Sequence, residues 1–305
     1  MTTTESNKKT VDRPAWLPED AWPFQVRTIH IDNHPIAYTD EGEGPVLLLV
    51  HDGMWSYIWS QLIERLRGDF RVVTLDFPGS GLSPDSGQTT SIAGDSRLLE
   101  AFVDQLGLED MTLALHDLGG SVGIGFAARR PELIKAMVMV NTFAWRLHTT
   151  SLKTMFAIMT SGPITALNVS TNLIPRLTST KSGIGLHLDQ QARAAFLGGF
   201  SEKGQRRRFH DLMTSAKTET DYLAELEVAY EATLADKPVL TIYGERNDPF
   251  GFQARFRELY PESEEMVIPK GNHFPMSDDP DGVAARITDW YARNVSQGRT
   301  TKAHP

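Results

Sequence analysis

The sequence lacks cysteine, and it lacks any long apolar run. Without cysteine the chain cannot form a disulfide, use a thiolate nucleophile or bind a metal through thiolates. The amino-terminal residues MTTTESNKKTVDRPAW are polar and contain no apolar segment of the kind found in secretory signals. No apolar run approaches the roughly 20 residues that span a bilayer. These absences predict a cytoplasmic protein.

The chain has an excess of acidic side chains. It contains 30 basic and 39 acidic residues, which gives a formal net charge of −9. This balance argues against nucleic acid or an anionic membrane surface as the main partner. A chain of 305 residues, 40% of them hydrophobic, is long enough for one large α/β domain with an inserted subdomain. The sequence leaves the oligomeric state open.

Strand-like and helix-like segments alternate along most of the chain. The strand-like runs are FQVRTIHI, VLLLV, RVVTLDF, MTLALHD, IKAMVMVNT, PVLTIYG and EEMVIPKG. Helix-like segments such as SYIWSQLIERLRG and PDGVAARITDWYARN lie between them. Continuous apolar strands separated by helices predict an α/β fold with a doubly wound, mostly parallel sheet.

This alternation is interrupted by one stretch of helical patterns, which divides the chain. Residues 146–232 contain helical patterns only, such as LDQQARAAFLGGF. We expect them to form a cap over the carboxyl ends of the strands, where open α/β sheets bind ligands. Residues 23–145 and 233–297 are then the α/β core. We expect residues 1–22 to be a mobile leader and residues 298–305 a C-terminal tail.

Three residues at strand ends follow the order of a catalytic triad. Asp117 lies in LALHDLGGSVG, where a strand passes into a helix through two glycines. Asp248 follows a strand in TIYGERNDPFG, and His273 follows the next strand in PKGNHFPMSDDP. Taken singly, Asp117 is typical of a helix N-cap, Asp248 of a turn, and His273 of a histidine that packs or lies at the surface. Together they resemble the α/β-hydrolase order of nucleophile, acid and histidine.

An aspartate at the nucleophile position favours one kind of chemistry. A carboxyl group with an ordinary pKa near 3.9 is ionised at neutral pH and can displace a leaving group from a saturated carbon. The product is an ester on Asp117, and His273 would deprotonate the water that attacks this ester. Asp248 would orient His273. The implied substrate is a small apolar alkyl halide or epoxide, with water as the second reactant and no metal or organic cofactor.

From Phe24 to Asn294 the chain resembles the haloalkane dehalogenase and epoxide hydrolase branch of the α/β-hydrolases. The segments that carry the resemblance are LALHDLGGSVG, NTFAWR, GNHFPMSDDP and the cap stretch from LKTMFAIMTSGP to NLIPRL. The resemblance implies the α/β-hydrolase fold with an inserted helical cap. It also implies hydrolysis through an aspartyl ester.

The chain departs from this branch at both positions that normally bind halide. A tryptophan normally follows the nucleophile, and here the residue is Leu118; the loop that normally supplies an amide is His51-Asp52-Gly53-Met54. A carboxylate such as Asp52 about 4 Å from a halide would repel it by up to roughly 4 kcal/mol at an effective dielectric of 20. If Asp52 is instead desolvated, it could donate a proton to a leaving oxygen. Epoxide opening is therefore slightly favoured by the residues, and dehalogenation by the overall resemblance.

The positions of other residues in the chain suggest an oxyanion hole, leaving-group acids and substrate contacts. The backbone N–H groups of Leu118 and of Gly53 or Met54 are the expected oxyanion hole. The candidate leaving-group acids in the cap are Tyr222, Tyr230, His148, His187 and His210. The candidates for a relocated indole donor or for substrate contact are Trp55, Trp59 and Trp145. Two other functions stay open, a cofactor-free oxygenase or luciferase-like enzyme and a ligand-binding protein without catalysis.

We expect His116 and the run from Arg206 to Arg208 to have structural roles rather than catalytic ones. Strand alternation turns His116 away from the side on which Asp117 lies, so we expect His116 to pack in the interior. The run from Arg206 to Arg208 is expected to be a solvated helix face.

Overall fold

The protein is represented by a computed structural model that describes residues 9–10, 13–87 and 89–296. The strands within these residues are β1 (Lys9–Thr10), β2 (Arg27–Ile31), β3 (His34–Glu41), β4 (Val46–Asp52), β5 (Arg71–Leu75), β6 (Met111–Asp117), β7 (Ile134–Thr142), β8 (Val239–Gly244) and β9 (Glu264–Ile268). They form one sheet in the order β1-β2-β3-β5-β4-β6-β7-β8-β9.

The sheet is parallel from β5 to β9 and antiparallel at the β1 edge. Strands β1, β2 and β3 pair antiparallel with one another, and β3 pairs antiparallel with β5. Every other pairing is parallel. The central strands β4, β6, β7 and β8 are buried along almost their whole length because helices cover both faces. The predicted doubly wound, mostly parallel sheet is confirmed.

The helices fall into a core set and a cap set. The core helices are α1 (Ser60–Leu66), α2 (Ile92–Leu106), α3 (Gly119–Arg129), α10 (Phe252–Leu259), α11 (Pro275–Asp278) and α12 (Pro280–Tyr291). The cap helices are α4 (Thr150–Met159), α5 (Gly162–Thr171), α6 (Leu173–Thr178), α7 (Gln190–Gly198), α8 (Lys203–Thr218) and α9 (Thr220–Ala232). All six cap helices lie between β7 and β8, where the sequence predicts an insertion.

Part of the predicted leader is folded onto the core. Lys9 and Thr10 pair with β2, and the side chains of Leu17 and Trp22 are fully buried. Trp22 packs edge-on against Phe24. The prediction of a mobile leader is therefore wrong for residues 13–22, because their apolar side chains complete the core beside β2. Residues 1–8, 11–12 and 298–305 lie outside the described residues.

None of the helices that the structure describes is long and apolar enough to cross a membrane.

Candidate active site

Asp117 stands on a sharp turn between β6 and α3. Its backbone φ is 50°, which is the left-handed region that a residue with a side chain rarely adopts. The turn is close-packed, since a Cβ on Gly119 would lie 2.6 Å from the carbonyl oxygen of Val50, and a Cβ on Gly120 would overlap Thr142 Oγ1. The Thr142 hydroxyl donates to the Asp117 carbonyl at 2.6 Å. This strained turn holds the Asp117 carboxylate at the carboxyl edge of the sheet.

His273 faces the Asp117 carboxylate. Its Nε2 lies 3.4 Å from Asp117 Oδ2, and the two side chains are 32% and 24% exposed. Burial raises the pKa of Asp117, but hydrogen bonding and charge from His273 and the Leu118 N–H outweigh it, so that the pKa is lowered. Asp117 is therefore ionised at neutral pH, as a carboxylate nucleophile requires.

The second ring nitrogen of His273 contacts an asparagine. His273 Nδ1 lies 2.8 Å from Asn247 Oδ1. Asn141, at the end of β7, donates through Nδ2 to the same Oδ1 at 3.0 Å and to the Asn247 carbonyl at 3.1 Å. Asn141 Oδ1 accepts from the backbone N–H of Gly244 at 2.8 Å. The acid position of the triad is thus occupied by a pair of amides.

The prediction that Asp248 orients His273 is wrong. Asp248 Oδ1 and Oδ2 accept from the backbone N–H groups of Phe252 and Gln253, at 2.6 and 3.0 Å. These N–H groups begin α10 and have no partner within the helix, so the carboxylate satisfies them. The sequence did offer a signal for Asn141, a polar residue that ends the apolar run AMVMV at the same sheet edge.

A cavity of about 290 Å³ opens in front of Asp117 and His273. Its polar lining comes from these two residues and from Asn141, Tyr243 and Asn247. The rest of the wall consists of apolar side chains and proline, namely Phe143, Leu152, Met155, Phe156, Met159, Phe209, Met213, Pro249, Phe250 and Phe252. A mostly apolar wall with a few convergent polar groups is typical of a site for a small organic molecule.

The predicted substrate contacts Trp55 and Trp145 and the candidate acid Tyr222 lie outside this cavity wall. Trp55 Nε1 donates to the Phe196 carbonyl at 2.9 Å. The Trp145 ring packs beneath the Arg255 guanidinium at 4.5 Å. The Tyr222 hydroxyl donates to the Ser121 carbonyl at 3.0 Å. All three side chains therefore have structural roles in the part of the chain that the structure describes.

The other predicted donors also lie away from the cavity wall. Trp59 and Tyr230 are buried among aromatic neighbours, and none of the described residues that line the cavity is a tryptophan. Each of the three cap histidines has a partner away from Asp117. His148 contacts the Glu227 carboxylate, His187 the Asp278 carbonyl and His210 the Met159 carbonyl. The candidate acids of the cap thus do not meet in front of Asp117.

Asp52 is bound to a cap arginine and does not line the cavity. Its carboxylate is 1% exposed and accepts from Arg208 Nη2 at 2.9 Å, while the same nitrogen donates to Asp95 at 2.8 Å. Burial raises the pKa of Asp95, although the Arg208 charge opposes this rise. Arg208 is only 6% exposed, so the prediction of a solvated face is wrong for this residue. Asp52 anchors α8 to the core because a buried carboxylate needs a charged partner.

The expected oxyanion hole is only partly available. The N–H of Leu118 lies close enough to the Asp117 carboxylate to lower its pKa. The N–H of Gly53 donates to Asp52 Oδ1 at 2.9 Å, and neither Gly53 nor Met54 lines the cavity. Of the predicted donors, Leu118 is the one placed against the reacting carboxylate.

No group of three or more acidic or histidine side chains that could hold a metal ion occurs among residues 13–87 and 89–296.

Comparison with known proteins agrees with this geometry. Residues 47–286 match the family model described as "Alpha/beta hydrolase family". Haloalkane dehalogenase 2 of Mycobacterium tuberculosis (strain ATCC 25618 / H37Rv) is 31% identical over 281 residues, which cover 88% of this chain and 95% of that protein. The cis-3-alkyl-4-alkyloxetan-2-one decarboxylase of Xanthomonas campestris pv. campestris is 25% identical over 295 residues, which cover 85% of this chain and 93% of that protein.

Among solved structures, the epoxide hydrolase CorEH without ligand matches with a TM-score of 0.75 and 20% identity, covering 88% of this chain and 98% of that one. This match supports the fold. From the family match and the dehalogenase relative, the chain belongs to the alpha/beta hydrolase family, in the branch that contains the haloalkane dehalogenases.

Proposed function

We propose that this enzyme hydrolyses a small apolar substrate at a saturated carbon through an ester on Asp117. The observation that carries the proposal is the ionised Asp117 carboxylate, 3.4 Å from His273 Nε2, at the polar end of an apolar cavity. The relatives named as haloalkane dehalogenase and epoxide hydrolase support the same chemistry.

The reaction would proceed in two steps. An Asp117 oxygen forms a bond to the substrate carbon while the bond from that carbon to the leaving group breaks, and the leaving group takes the electron pair. His273 Nε2 then removes a proton from water, and the hydroxide attacks the carbonyl carbon of the ester. The Leu118 N–H stabilises the charge that develops on the carbonyl oxygen. The acyl–oxygen bond breaks, the imidazolium protonates the alcohol, and Asp117 retains one oxygen from water.

The cavity favours a leaving group that stays attached to the substrate. A departing halide needs donors, yet the Tyr243 hydroxyl donates to the Thr142 carbonyl at 2.5 Å and the Asn141 amide donates to Asn247, which leaves the Asn247 amide as the one uncharged side-chain donor among the residues of the cavity wall. An epoxide oxygen remains tethered after ring opening. Because Asp117 and His273 are partly exposed, water at the cavity mouth can protonate that oxygen. We therefore favour epoxide hydrolysis over dehalogenation.

A second candidate follows from the same shortage of donors. In an oxetan-2-one, attack by Asp117 on the saturated ring carbon would release a tethered carboxylate, which needs neither a proton nor a halide site. Loss of CO₂ from that carboxylate would form an alkene and expel Asp117 as a carboxylate, so that no water is consumed. The Xanthomonas campestris relative is named as a decarboxylase of this ring.

A single-turnover experiment in ¹⁸O-water tests the proposal. The protein in excess would be incubated with 1,2-epoxyalkanes, 1-bromoalkanes or a cis-3,4-dialkyloxetan-2-one, and the peptide containing Asp117 would be weighed by mass spectrometry. We expect diol formation and one ¹⁸O atom in Asp117, and we expect Asp117→Ala to abolish both. Alkene without label would favour the decarboxylase. Oxygen consumption without label would favour an oxygenase, and binding without any reaction would favour a non-catalytic protein.

A further inference from the structure

We infer that Asn141 and Asn247 are positioning residues that fix the proton on His273 but leave its imidazolium without a carboxylate, so that the Asp117 ester accumulates during turnover. This inference rests on the proposed function, because it concerns the lifetime of the ester. It assigns to two amides the place that the sequence pattern gives to an acid.

The hydrogen bonds define the orientation of each amide, starting from a backbone group. The Gly244 N–H can only donate, so the atom of Asn141 that faces it at 2.8 Å is Oδ1. The other terminal atom of Asn141 is therefore the Nδ2 amide, and it donates to Asn247 Oδ1 at 3.0 Å. An oxygen of Asn247 thus faces His273.

This orientation in turn defines the tautomer of His273. An amide oxygen accepts only, so His273 Nδ1, at 2.8 Å from Asn247 Oδ1, must carry the proton. In a neutral ring Nε2 is then unprotonated, and it is the nitrogen that faces Asp117. The two amides therefore supply the base in its reactive tautomer before substrate binds.

The same amides supply no negative charge to the protonated ring. Among the described residues, Asp117 is the only carboxylate with an oxygen within 4 Å of a His273 ring nitrogen. Asp117 loses its charge when it becomes an ester. Asp248 is bound to the first N–H groups of α10, and Asp52 is bound to Arg208. Within the described part of the chain, no adjacent carboxylate therefore remains for the imidazolium that forms when His273 takes a proton from water.

The two reaction steps are affected unequally. Attack by Asp117 on carbon does not require His273 to gain a proton, so the first step does not need a carboxylate at residue 247. Hydrolysis of the ester does create an imidazolium, and in catalytic triads a carboxylate stabilises this charge. Formation of the ester should thus outrun its hydrolysis.

Rapid quenching with intact-mass analysis tests the inference on the full chain. With 1,2-epoxyalkanes and 1-bromoalkanes as probes, we expect the ester to be the main enzyme species of the wild type at steady state. In Asn247→Asp we expect hydrolysis of the ester to accelerate at least about tenfold. The pH midpoint of that step should rise by about one pH unit, because a carboxylate favours the charged ring. A merely structural residue would not move this midpoint.

Matched variants separate the possible outcomes. Asn33→Asp makes the same change at an exposed turn and should leave both rates unchanged. Asn247→Ala removes the acceptor and should slow hydrolysis of the ester, but not its formation. The inference is overturned if the wild type does not accumulate ester, or if Asn247→Asp hydrolyses it no faster. Absence of ester in every variant, with products still formed, would instead overturn the proposed function.

Discussion

His51 and His116 form a buried pair behind the elbow that holds Asp117. His116 Nε2 lies 2.8 Å from the His273 carbonyl, so this nitrogen carries a proton and donates. When the His116 ring is neutral, its Nδ1 accepts from His51 Nδ1, which lies 2.9 Å away. Burial lowers the pKa of both histidines well below the usual value, and the charge of His273 lowers both further.

This pair predicts that the protein loses stability in mild acid. Because the folded pKa values are depressed, the unfolded chain binds more protons below pH 6.5, and the stabilisation present above that pH is lost as pH falls. The free energy of unfolding should drop by about 1.4 kcal/mol per pH unit for each histidine between its folded and unfolded pKa values. Urea denaturation from pH 7.5 to 5 measures this slope.

Two substitutions check the assignment. His51→Gln removes one of the buried groups and should reduce the slope, whereas His30→Gln, at an exposed position, should leave it unchanged. An unaltered slope in His51→Gln would contradict the account.

The sequence predicts the position of some site residues better than that of others. Strand alternation correctly placed His116 in the interior, because neighbouring residues of a strand point to opposite faces. It could not distinguish Asn247 from Asp248. These adjacent residues lie in a turn, where the bond from the Asn247 N–H to the Gly244 carbonyl and the start of α10 decide which side chain faces His273.

At the scale of elements, α8 is attached to the core by charge. Arg208 on α8 bonds to Asp52 at the end of β4 and to Asp95 on α2. The next residue, Phe209, lines the cavity, and its ring lies 3.4 Å from where a Cβ on Gly53 would be. The ion cluster therefore holds in place the helix that supplies Phe209 and Met213 to the cavity wall.

Loss of the arginine should be costly. Arg208→Met leaves two buried carboxylates without their cation, and we expect the free energy of unfolding to fall by about 3–5 kcal/mol. Adding Asp52→Asn and Asp95→Asn to that variant should restore part of the lost free energy of unfolding. The part restored measures the cost of the unpaired charges, and the part still missing measures the lost packing of the arginine side chain. Arg207→Met, at the exposed neighbouring position, is the control. Urea denaturation giving equal losses for the two arginine variants would contradict this role.

Elements with strong patterns were predicted well, and one strand inside the sheet was missed. The continuous apolar runs correspond to β4 to β8, because burial on both faces requires such runs. Strand β3 was overlooked, since the second residue of its segment HPIAYTDE is a proline. A turn at Asp32 and Asn33, with φ values of 49° and 66°, joins it to β2 and is typical of a hairpin.

At the scale of the molecule, chain order predicted the architecture but not the contacts across it. The helical insertion between β7 and β8 was visible as an interruption of the strand–helix alternation. The meeting of Asn141 with Asn247, and of Arg208 with Asp52, joins residues more than 100 positions apart. No local pattern encodes such contacts, so the amide pair at His273 and the ion cluster beneath the cap emerge only in three dimensions.

The central claim is that Asp117 itself bonds to the substrate carbon, and trapping that bond tests it most directly. The variant His273→Gln, which cannot generate hydroxide by imidazole catalysis, would be incubated with a 1,2-epoxyalkane or a 1-bromoalkane and digested for peptide mass mapping. We predict that the peptide containing Asp117 gains the mass of the whole epoxide or of the alkyl group, with fragmentation placing the addition on Asp117. An unmodified peptide from this variant, under conditions in which the wild type consumes the same substrate, would contradict the account.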